Sequence, residues 1–448
     1  MKPVYIRLIW LPLILVTSCG PETVTVTRPR PVNYDGELTR EWFTLMCTLV
    51  KETPGFYPPQ AARAFGYTGV TLYESLVPGW PGAPTLAGQL EGLSPDMLPQ
   101  ADTTQPYHWG LVANAALADI TRYMFEEQLS EEGSLTVNDL EAKWAESQWF
   151  TVDAEQAQAS VDFGKAVARA IYQYSLTDGG HKSYQNPFQL PYTVPAHAGA
   201  WVPTGSALTP LAPRWAENRP FLAANATYAV PPDHPAFSTD TASVFYKEAL
   251  RVYHTVKQAS IEQKEIAWFW ADDPFNTCTP TGHTFNIMTQ LLEEHDANLA
   301  MSAVAYAKLA IAENDAFICC WKAKYDYFLI RPVSYIKAYI DPSFKTLIGT
   351  PPFPAYTSGH ATEAAAGSRI FTAMFTDGDG YYPFTDRTQI RFGFSVRNYT
   401  NFNQMAEECA NSRLYGGIHY DFDNTNGLKM GRAIGDNVNS LIDWPATY

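Results

Sequence analysis

Apolar residues recur three and four positions apart over four stretches of the first half of the chain: Trp42 to Lys51, Pro59 to Leu76, Tyr107 to Leu129 and Ala154 to Tyr174. That spacing puts them on one face of a helix. The same period returns from Thr239 to Ala271, Phe285 to His295, Asp296 to Ile318, Ala361 to Met374, Gln404 to Tyr415 and Asn424 to Ile442. Strand-like alternation is scarce, and no fixed short repeat points to a solenoid. Between the two helical halves, Tyr184 to Pro235 holds ten prolines interleaved with Trp201, Trp215 and Phe221. Each proline removes a backbone donor and restricts the residue before it, so this segment is expected to be extended. Its aromatic content sets it apart from disordered Pro-rich tracts and predicts an arm wrapped over a helical body. The pattern thus predicts an all-α protein, with a helical half over 35–183, an arm over 184–236 and a second helical half over 237–448.

The first residues read differently. Lys2 and Arg7 precede the apolar run Leu8 to Val16, which ends in Val16-Thr17-Ser18-Cys19. The run falls well short of the roughly 20 residues needed to span a bilayer. It resembles a bacterial lipoprotein export signal over 1–18, with Cys19 as the acylated residue and a polar stem over 19–34. On that reading the protein is exported, resides in the periplasm or at the outer membrane or cell surface, and touches membrane only through its lipid. Cys47, Cys278, Cys319, Cys320 and Cys409 remain, an odd number that does not describe a full disulfide framework. No CxxC spacing occurs, so the adjacent Cys319 and Cys320 are expected to be buried helix residues and not a metal pair.

Charge narrows the partners. Against 31 basic residues stand 46 acidic ones, a net charge of -15, which repels a nucleic-acid backbone. An anion site in such a protein must rest on a local basic cluster, because the overall field opposes it.

Three segments of the C-terminal half supply candidates: Trp321 to Lys324 followed by Arg331-Pro332, Pro352 to Thr362, and Ser412-Arg413 with His419 and Asp423. Ser358-Gly359-His360 follows two prolines and precedes a helix-forming run, which places a hydroxyl, a Cβ-free N–H and an imidazole at a helix N-terminus. Such an end attracts anions, although a Ser there also serves as an ordinary cap. Lys324, Arg331 and Arg413 offer three positive charges to one oxyanion, or alternatively pair with surface carboxylates. His419 and Asp423, four apart, share a face if helical, where the acid either orients the imidazole or makes a surface contact.

Taken together, K-x6-R-P, then S-G-H in a Pro-rich frame, then S-R-x5-H-x3-D resembles the signature shared by vanadium-dependent haloperoxidases and type 2 phosphatidic acid phosphatases. The agreement covers Lys324, Arg331, Pro332, Ser358, Gly359, His360, Ser412, Arg413, His419 and Asp423, with Thr357 departing from the family's usual Pro. The resemblance implies two helical bundles. It also implies that Lys324, Arg331, Ser358, Gly359 and Arg413 hold vanadate oxygens, that His419 bonds vanadium, and that His360 is the acid/base residue.

The signature alone does not separate peroxidase from phosphatase, since vanadate and a phosphoryl-transfer transition state present similar geometry and charge. Likeness to bacterial haloperoxidases extends over Trp201 to Ile442, through Trp201-Val202-Pro203-Thr204, Phe269 to Asp273, and Thr279 to His283. In that likeness Asp273 falls where an acid braces the site arginine, here Arg413. Trp321 and Phe353 fall where residues surround the halide; as core aromatics they have a second explanation. Small phosphatases of the superfamily are also much shorter. The sequence therefore favours a haloperoxidase using vanadate, hydrogen peroxide, a halide and an organic acceptor, with iodide, the easiest halide to oxidise, ahead of bromide. An acid phosphatase comes second. A ligand-binding surface lipoprotein comes third, because it has no need of three basic residues and two histidines in this order.

Replacing Cys19 by Ser is expected to move the protein from the membrane fraction to the soluble fraction while the purified enzyme keeps its activity. Continued membrane attachment of that variant, measured by fractionation, refutes a lipid anchor.

Overall fold

The computed structural model describes residues 29–102, 104–228, 231, 234–377 and 380–446. The signal segment, Cys19 and most of the stem lie outside these residues. Among the described residues fourteen α-helices form: α1 Glu37–Glu52, α2 Pro58–Leu76, α3 Trp109–Phe125, α4 Glu131–Trp149, α5 Ala154–Ser175, α6 Ala223–Tyr228, α7 Val244–Lys257, α8 Ile261–Phe269, α9 Thr279–Glu294, α10 Leu299–Tyr327, α11 Pro332–Tyr339, α12 Gly359–Phe375, α13 Phe402–Tyr415 and α14 Asp421–Leu441. A short antiparallel pair, β1 Phe384–Asp386 and β2 Arg397–Tyr399, sets Phe384 opposite Tyr399. Among the described residues no helix is long and apolar enough to cross a membrane.

The helical halves share one apolar core, because the two helices at its centre come one from each half. Every residue of α2 is buried, and so is nearly all of α10 through Lys324. These helices pack along each other. Helix α10 runs nine residues past Ile318, where the apolar period ends, and exposed Lys322 and Asp326 give that extension a polar face. The extension places Trp321 and Lys324 on the core helix.

The 184–236 segment wraps over α10 as an arm. Its described residues lack regular structure except for the six-residue α6 and the short 3-10 turns Ser183–Gln185 and Trp215–Glu217. Gly199 and Trp201 bond to the backbone of Ile330 and Phe328, and Leu211 N–H donates to the Pro352 carbonyl. Further along, the buried carboxylate of Asp315 on α10 accepts from Phe221 N–H, Leu222 N–H and Asn225 Nδ2. These bonds explain why a Pro-rich chain is ordered here: its free backbone groups are paired with the helical body.

In the C-terminal half, α12 and α14 make the closest helix contact. The contact rests on glycines every fourth residue of α14, at 427, 431 and 435, which face the carbonyls of Ser358, Thr362 and Ala366. A Cβ at Gly431 would lie 1.9 Å from the Thr362 oxygen. Only glycine allows the two backbones to approach so closely, and the approach sets the Ser358–His360 end of α12 against the start of α14.

Gly431→Ala is therefore expected to force the helices apart, lowering stability by about 3 kcal/mol and weakening anion binding. Thermal unfolding is compared with Gly205→Ala in the arm, where a Cβ meets nothing within 4 Å. Equal melting temperatures for the two variants would refute the role of this contact.

Candidate active site

A cavity of about 280 Å³ opens where the arm, the N-terminal half and the C-terminal helices meet. Gly359, His360, Arg413 and His419 line it together with Trp321, Phe353 and Asp273. Tyr57 and Pro58 from the N-terminal half and Leu211 from the arm complete the wall.

The start of α12 forms one side. Ser358 is the N-cap, and its Oγ accepts from Ala361 N–H at 3.4 Å, while Ser358 N–H donates to the Asp423 carbonyl. Gly359 follows with open space beside it; the nearest atom to a Cβ there would be Trp321 Cζ3 at 3.8 Å. His360 Nε2 is buried without a partner. Burial, and then the charge of Arg413, holds the His360 imidazole well below its ordinary range, so it is neutral here.

The three basic residues are buried, and among the described residues none is ion-paired to a carboxylate. Arg331 donates from Nε to the Phe353 carbonyl at 2.7 Å and from Nη1 to the Ile418 carbonyl at 2.9 Å, while its Nη2 has no partner. Arg413 donates from Nη1 to the Trp270 carbonyl, leaving Nε without a partner. Lys324 differs. Its ammonium donates to the carbonyls of Pro354 and Ala355, both at 3.1 Å, and to that of Thr357, so it ties down the loop before Ser358. Burial pulls Lys324 down to about 8 and Arg331 down to about 10, and it also lowers Arg413. Charge is costly in this place without an anion.

His419 and Asp423 are in contact, although they do not share a helix face. Tyr420 caps α14 and His419 precedes the cap. Asp423, in the first turn, reaches back to accept from Tyr420 N–H at 3.1 Å, and its Oδ2 lies 2.8 Å from His419 Nδ1. The carboxylate fixes the proton on Nδ1, so Nε2 carries the lone pair and accepts from Arg331 Nη1 at 3.0 Å. Burial and Arg331 hold His419 well below its ordinary range, and burial lifts Asp423 to about 7.

Asp273 lines the cavity but makes no ion pair with Arg413 among the described residues. Its neighbour Asp272 is the buried acid, and it belongs to a clamp that sequence reasoning missed. His283 Nδ1 lies 2.9 Å from Asp272 Oδ2 and its Nε2 lies 3.0 Å from Asp386 Oδ2, on β1. Its ring stacks on Trp270 at 4.4 Å between centroids. Burial opposes the charge on His283, but Asp272 and Asp386 override it and hold the imidazole well above its ordinary range. The clamp thereby fixes residues 270–272, whose Trp270 carbonyl accepts from Arg413 and whose Ala271 backbone faces His360. The Thr279 to His283 string was visible in the sequence, but its partners, 11 and 103 residues away, were not. Cys319 and Cys320 are buried and free, and no metal-binding cluster of His, Cys, Asp and Glu occurs among the described residues.

Around the cavity the helical fold thus gathers three buried cations, an imidazole lone pair fixed by Asp423 and a second, neutral imidazole. The chain belongs to the vanadium-dependent haloperoxidases. It is 31% identical to the first bacterial vanadium-dependent iodoperoxidase of known crystal structure, over 94% of this chain and 99% of that one, with a TM-score of 0.82. A bacterial vanadium-dependent chloroperoxidase shares the fold at 14% identity and a TM-score of 0.67, over 88% of this chain and 93% of that one. The family model for the VCPO second helical-bundle domain matches residues 304–443. Vanadium chloroperoxidase of Curvularia inaequalis is 25% identical over 44% of this chain and 42% of its own length. Vanadium-dependent bromoperoxidase of Ascophyllum nodosum is 36% identical over 19% of this chain and 17% of its own length. The chain thus matches less than half the length of either of these curated relatives.

Replacing His283 by Ala would leave Asp272 and Asp386 facing each other without a cation. Stability is expected to fall by about 3–5 kcal/mol and anion affinity by about 10- to 100-fold. Because the folded value of His283 is raised, its contribution is complete below its ordinary value of about 6.5 and is lost only as the pH rises through the higher folded value. Denaturant unfolding and vanadate titration from pH 6 upward check this; unchanged vanadate affinity in the variant would remove the clamp from the site.

Proposed function

We propose that the protein binds vanadate in this cavity and uses hydrogen peroxide to oxidise a halide, iodide before bromide, to a hypohalous species that passes to an organic acceptor. The observation that carries the reading is the set of buried polar atoms without partners, the N–H groups of Arg331 Nη2 and Arg413 Nε and the ring nitrogen His360 Nε2, in a cluster of basic residues with no ion pair to a carboxylate among the described residues. Buried N–H groups of this kind need an acceptor, and beside three cations an anion suits best. A tetrahedral oxyanion fits the donor set and the open space at Gly359.

Arg331, Arg413 and the start of α12 at Ser358 and Gly359 would hold the oxyanion. Lys324 would add charge from beneath the loop, and His419 Nε2 would bond the vanadium. When bound, vanadate supplies a Lewis-acidic centre that activates peroxide towards the halide. Asp423 keeps the lone pair of His419 on Nε2. His360 is held neutral and so is ready to take a proton at Nε2 and return it. Trp321 and Phe353, with ring centroids 5.0 Å apart, give the halide a weakly polar wall. Iodide is placed first because it is the easiest halide to oxidise and because the iodoperoxidase relative is similar along nearly the whole chain. The same imidazole lone pair oriented by an acid also suits a phospho-enzyme nucleophile, which makes an acid phosphatase the second reading.

Apo-protein is expected to be inactive and to gain halide oxidation with orthovanadate and peroxide, while phosphate competes. His419→Ala should lose both bound vanadium and iodide oxidation. His360→Ala should keep vanadium but slow turnover about a hundredfold or more. Substitutions at Trp321 or Phe353 should shift the ratio of iodide to bromide oxidation. Halide oxidation, phosphomonoester hydrolysis and bound vanadium are measured on the same preparations. Rapid phosphomonoester hydrolysis through a trapped phospho-His419, without halide oxidation, replaces this reading by the phosphatase.

A further inference from the structure

Of the five free cysteines among the described residues, two lie close together away from the cavity. Cys47 is on α1 of the N-terminal half and Cys278 is the N-cap of α9, with exposures of only 2% and 3%. Both sulfurs fill the space above Gly282, where a Cβ would lie 2.5 Å from Cys278 Sγ and 3.5 Å from Cys47 Sγ. The two thiols are not equivalent. Cys278 Sγ accepts from Asn286 Nδ2 at 3.3 Å and lies 3.7 Å from Arg391 Nη2. Cys47 faces the Gly282 carbonyl at 3.6 Å. The neighbouring Cys47 thiol, and next the charge of Arg391, hold the Cys278 thiol below its ordinary range against burial. Burial pushes Cys47 well above it. One sulfur is thus favoured as a thiolate while its neighbour keeps its proton, the asymmetry of a nucleophilic thiol beside a resolving thiol.

Cys278 lies beneath the exposed side chain of Arg391. The loop that carries it, from Asp272 to Pro280, also lines the cavity through Asp272, Asp273, Pro274, Phe275 and Pro280.

We propose that Cys47 and Cys278 form a redox-active dithiol that hydrogen peroxide oxidises to a disulfide, stapling α1 to the start of α9 and so to the loop that walls the cavity. The Cys278 thiolate attacks one peroxide oxygen; an S–O bond forms, the O–O bond breaks, and hydroxide leaves, giving a sulfenic acid. The sulfur of Cys47 then attacks Cys278; the S–S bond forms, the S–O bond breaks, and the oxygen departs as water with the proton of Cys47. Two electrons pass from the thiol pair to the peroxide. Hydrogen peroxide as a natural oxidant at this position rests on the proposed function, whereas the reactivity of the pair does not.

The test uses reduced full-length protein exposed to hydrogen peroxide without vanadate or halide, so that failure of halide oxidation leaves it unaffected. After quenching, denaturation and alkylation, peptide mapping without reductant is expected to recover a Cys47–Cys278 crosslink, with Cys319, Cys320 and Cys409 alkylated. The oxidised protein should melt several degrees higher, and dithiothreitol should reverse the shift. In Cys47→Ser, Cys278 should be trapped by dimedone as the sulfenic acid; in Cys278→Ser, Cys47 should stay a free thiol. Recovery of both cysteines as alkylated thiols in the wild type overturns the proposal. So does Cys278 oxidised to the sulfinic acid while Cys47 remains free, because Cys47 would then not resolve it.

Discussion

The structure is organised around buried positive charge held without neutralising it. Lys324, Arg331 and Arg413 sit in the interior of a protein whose net charge is -15, where each had many carboxylates available as partners. They bond instead to main-chain carbonyls, those of Phe353, Pro354, Ala355, Thr357, Ile418 and Trp270. A carbonyl dipole orients a cation and lessens its desolvation, but unlike a carboxylate it leaves the net charge in place. Carboxylates near the site bond to other groups, Asp423 to His419, and Asp272 and Asp386 to His283, and temper the cations only at a distance. A bound anion would lower the cost of the three buried cations further.

Carbonyls serve this purpose only if the backbone carrying them is rigid, and much of the fold secures that. The loop from Phe353 to Thr357 is held by Lys324 beneath it and by the arm, through Leu211 and Pro352. The Trp270 carbonyl is set by the His283 clamp, and that clamp is anchored in turn on β1. The start of α12 is fixed against α14 by the glycine row. Even the N-terminal half takes part, since Tyr57 and Pro58 close the cavity and α2 supports α10 along its length. The long N-terminal half is therefore structural to the site, as well as a second bundle beside it.

Much of this was legible in the sequence, and what escaped did so for identifiable reasons. Of the three-segment signature, Gly359, His360, Arg413 and His419 line the cavity, and Lys324, Arg331, Ser358 and Asp423 bond to its loops and side chains, because short spacings within helix starts translate into fixed geometry. Helix α4 gave no signal because only Gly133 and Val137 on it are buried, so no apolar stripe exists to be seen. Helix α11 was hidden by its eight-residue length and by Pro332, which reads as a stop but here occupies the permissive first turn. The stretch from Thr239 to Ala271 divides into α7 and α8 at a Ser260 cap that the apolar period does not reveal. The spacing of His419 and Asp423 suggested one helix face, yet the contact arises from an acid in the first turn reaching back past the cap, which four-residue spacing serves equally well. Asp272 and Asp273 are adjacent, and no periodicity tells which of two neighbouring acids turns inward; Asp272 has a positive φ of 46°, a backbone choice made by the loop and not by the side chain.

Vanadate and a phosphoryl group present similar geometry and charge to one set of donors, so under the proposed function a preference for halide chemistry would come from the walls. Trp321 is informative here because its only polar atom is already engaged: Nε1 donates to the Leu211 carbonyl at 3.2 Å. The ring has no donor left for an oxyanion or for the hydroxyl of a phosphate ester, and it faces the cavity as carbon beside Phe353. Arg331 and Lys324 lie over the Phe353 ring at 4.9 and 5.1 Å, so the positive field reaches the aromatic wall without a hydrogen-bond donor projecting from it. A large, weakly hydrated anion loses little by leaving water for such a surface and gains the field, whereas an alkyl phosphate would need polar partners for its ester oxygen and hydroxyl. The arm makes this arrangement possible, since it supplies the carbonyl that occupies the indole N–H. A proline-rich segment with no residue of the signature on it thereby bears on which anion the site can use.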